Sequence, residues 1–235
     1  MTAIKTATRD TWLKARLDLL EQEKKHTRQK DVLSAARRAL PWVKIEKDYV
    51  FQCEDGTTRS LAELFGERTQ LIVYHFMFGP EWDAGCVSCS FWADSFNGLQ
   101  PHLNDRDIAF AAVSRAPMSK LLSFKKRMGW SFDWVSSFEN DFNADFDVSF
   151  GSLHKPEDPV TYNFKEDTFY PMDEAHGTSV FARDADGTVY HTYSTYGRGL
   201  DATNAAYSYI DMVPKGRGEP AEGNPMAWVR HHDSY

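Results

Sequence analysis

The chain has 235 residues, of which 42% are hydrophobic, 26% charged and 14% aromatic, with a net charge of −7. This length fills one core with additions and does not demand two domains, and the aromatic content favours a dense core over disorder. The acidic balance speaks against binding nucleic acid or an anionic membrane. No apolar run is long enough to span a bilayer, and the charged start at Lys5 has no secretory signal, so a cytoplasmic location is expected.

Residues 8–40 read as a helix capped by Asp10, with stripes at Leu13, Leu17 and Leu20 and at Leu33, Ala36 and Leu40, a Glu21–Lys25 pair, and Pro41 as stop. The charged stretch from Glu21 to Asp31 is a bend or a solvated segment. This N-terminal extension, residues 1–44, packs on a partner subunit to make a homodimer, or it packs on its own domain; both readings stand.

Residues 45–213 have an α/β pattern. Tyr49–Cys53 is a strand, Asp55-Gly56 a turn, and Leu61–Phe65 a short helix. Leu71–Phe78 has the continuous apolar and β-branched character of a central strand. A helix runs from Cys89 to about Leu99, with Phe91, Trp92, Ser95 and Phe96 turned inward. Ile108–Val113 is a second buried strand. Pro117 opens a helix striped by Leu121, Phe124 and Met128 and closed by Gly129. Trp134–Phe138 is a third strand. Ser179–Arg183 and Thr188–Ser194 form a hairpin across Asp184-Ala185-Asp186-Gly187. Leu200–Met212 is a last helix, stopped by Pro214. Residues 214–235 are a tail whose apolar Met226–Val229 docks back on the domain. Strands alternating with helices, then a hairpin and a helix, predict a central mixed sheet flanked by helices. With a CxxC after an early central strand, this is a thioredoxin-like order.

Three cysteines are present, Cys53, Cys86 and Cys89, too few and too odd for a disulfide framework. The pair Cys86-Val87-Ser88-Cys89 falls where a helix opens. Free amides and the positive helix end there stabilise a thiolate, the form that attacks a disulfide. Cys86 is the expected nucleophile and Cys89 the resolving thiol. Glu81 and Asp83 would raise the pKa of Cys86 if they pointed at it. The alternatives are half of a zinc site, completed by Cys53, His75, His102 or His176, and an inert buried pair. No metal site and no cofactor motif is predicted. Asp141, Asn143 and Asp145 have calcium-loop spacing, but Phe146 stands where glycine is required. Phe138, Phe142, Phe146 and Phe150 read as core, and His231 and His232 as solvated tail residues.

The runs Leu71–Trp82 and Gly85–Asp94 resemble the DUF899 family, a thioredoxin-like family described as predicted dithiol-disulfide oxidoreductases. The resemblance continues through Arg38–Trp42, Glu46–Tyr49, Ala112–Pro117, Met128–Trp130, His191–Tyr196, Arg198–Asp201 and Met226–Arg230, so it covers nearly the whole chain. It implies the thioredoxin fold and, more weakly, an activity at Cys86 and Cys89. Residues 49–65 also resemble the opening of peroxiredoxin-like chains, but Asp83 stands where a peroxiredoxin has threonine three residues before its cysteine. Thioredoxins place a cis-proline before the hairpin, facing the CxxC. Here the stretch is Ala175-His176-Gly177-Thr178-Ser179, so a trans loop is expected, with Trp82, His176, Gly177 and Thr178 as candidate groove residues. Three functions follow: thiol-disulfide exchange with a small or protein disulfide and a reducing partner, peroxide reduction, or a non-catalytic binding and assembly module.

Overall fold

The computed structural model describes residues 5–235. They divide into two compact units, one up to Pro41 and one over Trp42–Tyr235. The first unit is one unbroken helix, α1 (Arg9–Arg38). The cap is Thr8, whose hydroxyl accepts the Thr11 amide, and Asp10 sits instead in the first turn. The charged middle stays helical and exposed, and Glu21 pairs with Lys24 rather than with Lys25. No residue of α1 is buried, so the leucine stripes do not act as core positions; Leu13 and Leu17 are exposed.

The second unit opens on β1 (Val43–Lys44), then β2 (Val50–Gln52), β3 (Thr58–Ser60), a single 3₁₀ turn at Glu63–Phe65 and β4 (Gln70–His75). Residues 43–44, assigned above to the helical extension, are a sheet edge, since Val43 and Lys44 pair with His191 and Tyr190. There follow α2 (Val87–Ala93), α3 (Gln100–Asn104), β5 (Ile108–Ser114), α4 (Met118–Met128), β6 (Trp134–Ser136) and α5 (Phe142–Asp145). The chain closes with β7 (Pro159–Tyr162), β8 (Lys165–Phe169), β9 (Gly177–Arg183), β10 (Val189–Tyr196) and α6 (Ala205–Ile210). The helix expected over 200–212 is interrupted. Gly197–Thr203 is 3₁₀, and Asn204 then caps α6 through its side-chain oxygen and the Tyr207 amide. The helix expected over 89–99 ends at Ala93, and Ser95 and Phe91 are only half-buried.

Eight strands make one sheet in the order β1-β10-β9-β4-β5-β6-β2-β3, and β7 and β8 pair separately. β5 runs parallel to β4, β9 antiparallel to it, and β10 antiparallel to β9. That core, with α2 following β4 and α4 following β5, is the thioredoxin fold. β4 is central because both its faces are apolar. Leu71 and Val73 face a cluster with Phe51, Phe65, Phe142 and Phe181, while Tyr74 and Phe76 face one with Trp92, Phe96, Phe124 and Trp134. α4 buries Leu121, Phe124 and Met128 on that second face, each contributing roughly 1.5–3 kcal/mol. Gly129 ends α4 at φ 63°, a left-handed cap. Of the phenylalanines expected in the core, Phe142 and Phe146 are buried and Phe138 is exposed. Every peptide bond of the described residues is trans. Among them, no helix is long and apolar enough to cross a membrane.

Candidate functional site

β4 delivers the chain into the loop that carries the dithiol. The amide of Cys86 donates to the Met77 carbonyl at 3.0 Å, which seats Cys86 directly beyond the strand. Gly85 can only be glycine here: a Cβ would lie 2.8 Å from the rings of both Phe76 and Phe124. Cys86 is the cap residue of α2, and its carbonyl accepts both the amide and the hydroxyl of Ser90, each at 2.9 Å. Cys89 falls in the first turn and is fully buried, whereas Cys86 is half-buried.

The two sulfurs are electrostatically unequal. The Cys89 thiol donates to Cys86, and this is the largest effect holding the Cys86 pKa down to about 7; burial opposes it, and the amides of Cys89 and Ser88 and the Ser88 hydroxyl assist. No amide makes a full cap hydrogen bond to the sulfur, so these groups act as oriented dipoles. The helix end was expected to dominate; in a helix of seven residues, the neighbouring thiol does more. Cys89 moves the other way: burial pushes its thiol well above the usual range, and the negative charge favoured on Cys86 adds to that. Its sulfur accepts the Met77 amide at 3.4 Å. Glu81 and Asp83 are not among the groups that shift Cys86; they line two clefts flanking the loop, of about 530 and 440 Å³.

Three phenols surround the sulfurs, and none was singled out from the sequence. Tyr74 comes from β4, while Tyr162 and Tyr170 come from the β7–β8 hairpin and the residue after it. Tyr162 is tied down at both ends of its hydroxyl, donating to the His176 carbonyl at 2.9 Å and accepting the Gly197 amide at 3.0 Å. The rings of Tyr162 and Tyr170 meet edge-on at 4.9 Å. The readable signal for Tyr74 was parity: even-numbered residues of β4 face α2.

The four candidate groove residues do not share one groove. Trp82 donates its indole N–H to Asp173 at 3.0 Å and lines the larger cleft with His154 and Met172. His176 packs 5.9 Å from the Trp92 ring and lines a different cleft of about 180 Å³ with Arg217; burial holds its pKa down to about 4. Gly177 is buried against Tyr196, whose ring a Cβ would meet at 2.5 Å. That contact, not a peptide isomer, explains the glycine. Thr178 pairs in register with Tyr74 across β4 and β9. The tail histidines are not solvated bystanders. His231 is half-buried and its Nε2 lies 2.9 Å from the carbonyl of Gly85, the residue before Cys86. His232 lies 2.6 Å from Asp94, and Asp233 takes both ends of the Arg127 guanidinium. Among the described residues, no cluster of three or more histidine, cysteine or acidic side chains could hold a metal ion.

A family model described as a bacterial protein of unknown function, DUF899, matches residues 1–235. No curated protein matches the chain. Among solved structures, peroxidoxin BcpB from Mycobacterium tuberculosis is 17% identical, with 74% of this chain and 97% of that one covered and a TM-score of 0.47. A mutant of Xanthomonas campestris peroxiredoxin Q is 18% identical, with 68% and 90% covered and a TM-score of 0.45. The mitochondrial 2-cys peroxiredoxin from Plasmodium falciparum is 13% identical, with 77% and 98% covered and a TM-score of 0.42. The fold assignment rests on the strand order above and not on these likenesses.

Proposed function

The chain belongs to the DUF899 family, and from that premise we propose that it is a dithiol oxidoreductase in which Cys86 attacks and Cys89 resolves. The observation that carries this is the inequality of the two sulfurs: a half-buried Cys86 held near pKa 7 by a thiol donor that is itself buried. The Cys86 thiolate attacks one sulfur of a disulfide, the disulfide bond breaks, and one thiolate leaves. Cys89 then gives up its proton to the leaving thiolate or to water and attacks the Cys86 sulfur. The second thiolate departs, leaving a Cys86–Cys89 disulfide that an external dithiol reduces. The test follows reduction of an aromatic disulfide by wild type, Cys86→Ser and Cys89→Ser. A fast phase that Cys86→Ser lacks, and a slower release that Cys89→Ser lacks, support the reading. Equal rates for wild type and Cys86→Ser end it.

A second reading is favoured by the half-burial of Cys86 near Tyr170, which suits a small oxidant. A hydroperoxide would transfer its terminal oxygen to the Cys86 thiolate, giving a sulfenic acid and an alcohol, and Cys89 would condense with it, releasing water. Trapping the sulfenic acid in Cys89→Ser after peroxide treatment supports this reading, and its absence removes it.

A further inference from the structure

We infer that Tyr74 is the hydrogen-bond donor for Cys89 in the resolving step, its hydroxyl closing on the sulfur as negative charge moves there. This rests on the dithiol reading above. Tyr74 is 2% exposed, and its hydroxyl makes no hydrogen bond in the resting state. A buried hydroxyl without a partner is an uncommon expense in a core, and it calls for a reason. The group it faces is the Cys89 sulfur, with Cys86 next. The contact falls short of full hydrogen-bond geometry, so the donor is in place and unused.

Its surroundings fix it there. Tyr74 lies on the central strand, paired with Ala112 on one side and Thr178 on the other. Its ring meets Phe96 edge-on at 5.0 Å and Phe76 at 6.3 Å. At rest the Cys89 sulfur accepts from the Met77 amide at 3.4 Å, and a thiolate there has room for a second donor. Tyr162 cannot supply it, since both sides of its hydroxyl are taken. Burial raises the Tyr74 pKa well above the ordinary value, so it keeps its own proton and donates without acting as a base. In the step itself the Cys89 proton leaves to the departing thiolate or to water, the Cys86–Cys89 bond forms, and the bond from Cys86 to the substrate sulfur breaks. Tyr74 loses nothing and stabilises the thiolate that attacks.

The experiment is Tyr74→Phe, which keeps the ring and removes the hydroxyl. With an aromatic disulfide in rapid mixing, the ratio of the second-phase rate to the first falls about tenfold, and the second phase's pH midpoint moves up. A merely structural hydroxyl would move neither. A second readout needs no turnover: the thiol–thiolate titration of Cys89 in the Cys86→Ser protein, followed by thiolate absorbance and assigned by its loss on adding Cys89→Ser, moves to higher pH when Tyr74→Phe is added. An unchanged rate ratio and pH midpoint overturn the inference, whatever the titration does. If the wild type shows no first phase at all, the oxidoreductase reading fails separately. The titration then decides the Tyr74–Cys89 contact alone, an unmoved midpoint overturning it and a raised one supporting it.

Discussion

Two consecutive residues of β4, Tyr74 and His75, carry buried polar groups to opposite faces of the sheet, and the two faces treat them differently. His75 is fully buried and stacks on Phe142 and Phe146 at 5.5 and 5.8 Å. Its Nε2 meets Ser179 at 2.8 Å, Ser179 meets Ser194 at 2.8 Å, and Ser194 meets His191 at 2.8 Å. Burial holds its pKa down to about 3, so the imidazole stays neutral, and its Nδ1 has no hydrogen-bond partner. This chain links β4, β9 and β10 and reaches no sulfur. On the other face, the Tyr74 hydroxyl has no hydrogen-bond partner, with Cys89 foremost and Cys86 and Tyr162 near it. A polar group tied into a closed chain serves stability and register, whereas one left unpaired beside two thiols lacks that role, and the proposed part in the resolving step would supply one.

That contrast can be broken by experiment, and the largest effect falls on the dithiol face. Cys86→Ser lowers the rate of disulfide reduction by about 100-fold or more while the melting temperature holds. Next, alkylation of Cys86 in wild type rises about tenfold between about pH 6 and about pH 8, with its midpoint near 7, the value its thiol donor and amides set. A midpoint at the free-cysteine value would remove the inequality between the sulfurs. On the opposite face, Ser179→Ala cuts the chain between His75 and Ser194. It costs about 1–3 kcal/mol in denaturant unfolding and leaves the alkylation profile in place; a shift of that profile would show that the faces communicate.

The smallest effect belongs to Glu174, a buried carboxylate that accepts from Arg115 at 2.8 Å and Ser149 at 3.0 Å. Burial raises its pKa from 4.5 to about 7 against the pull of Arg115. The folded state therefore holds the proton more tightly, and this group's contribution is present below 4.5 and declines as pH rises to about 7. Glu174→Gln lacks that slope. Its stability deficit relative to wild type should narrow across the window, measured by urea unfolding at each end.

Much of this architecture was legible. The β-branched run at Leu71–Val73 set the central strand, Pro117 and Gly129 bracketed α4, and Asp184–Gly187 turned the β9–β10 hairpin. The β7–β8 hairpin was not. Its turn uses Asn163 and Phe164 at φ 54° and 62°, and a phenylalanine in the left-handed region gives none of the signal that glycine would. With it went Tyr162 and Tyr170. The CxxC was legible because its members are three residues apart. Tyr74, 15 positions before Cys89, was visible only as one more apolar strand residue; whether its hydroxyl has a partner is decided by packing, not by spacing.

The contact between His231 and the carbonyl of Gly85 spans 146 residues of sequence. The segment leading to it, residues 214–225, is mostly exposed and rich in glycine and proline, the sort of stretch that proteases nick first. Such a cut would leave every sheet pairing in place, since none involves the tail. It would also turn an intramolecular fastening into a bimolecular one, free to dissociate from the loop that carries Cys86. A clipped molecule would then look folded by circular dichroism while its thiol chemistry drifted, so intact mass needs checking before any rate is believed.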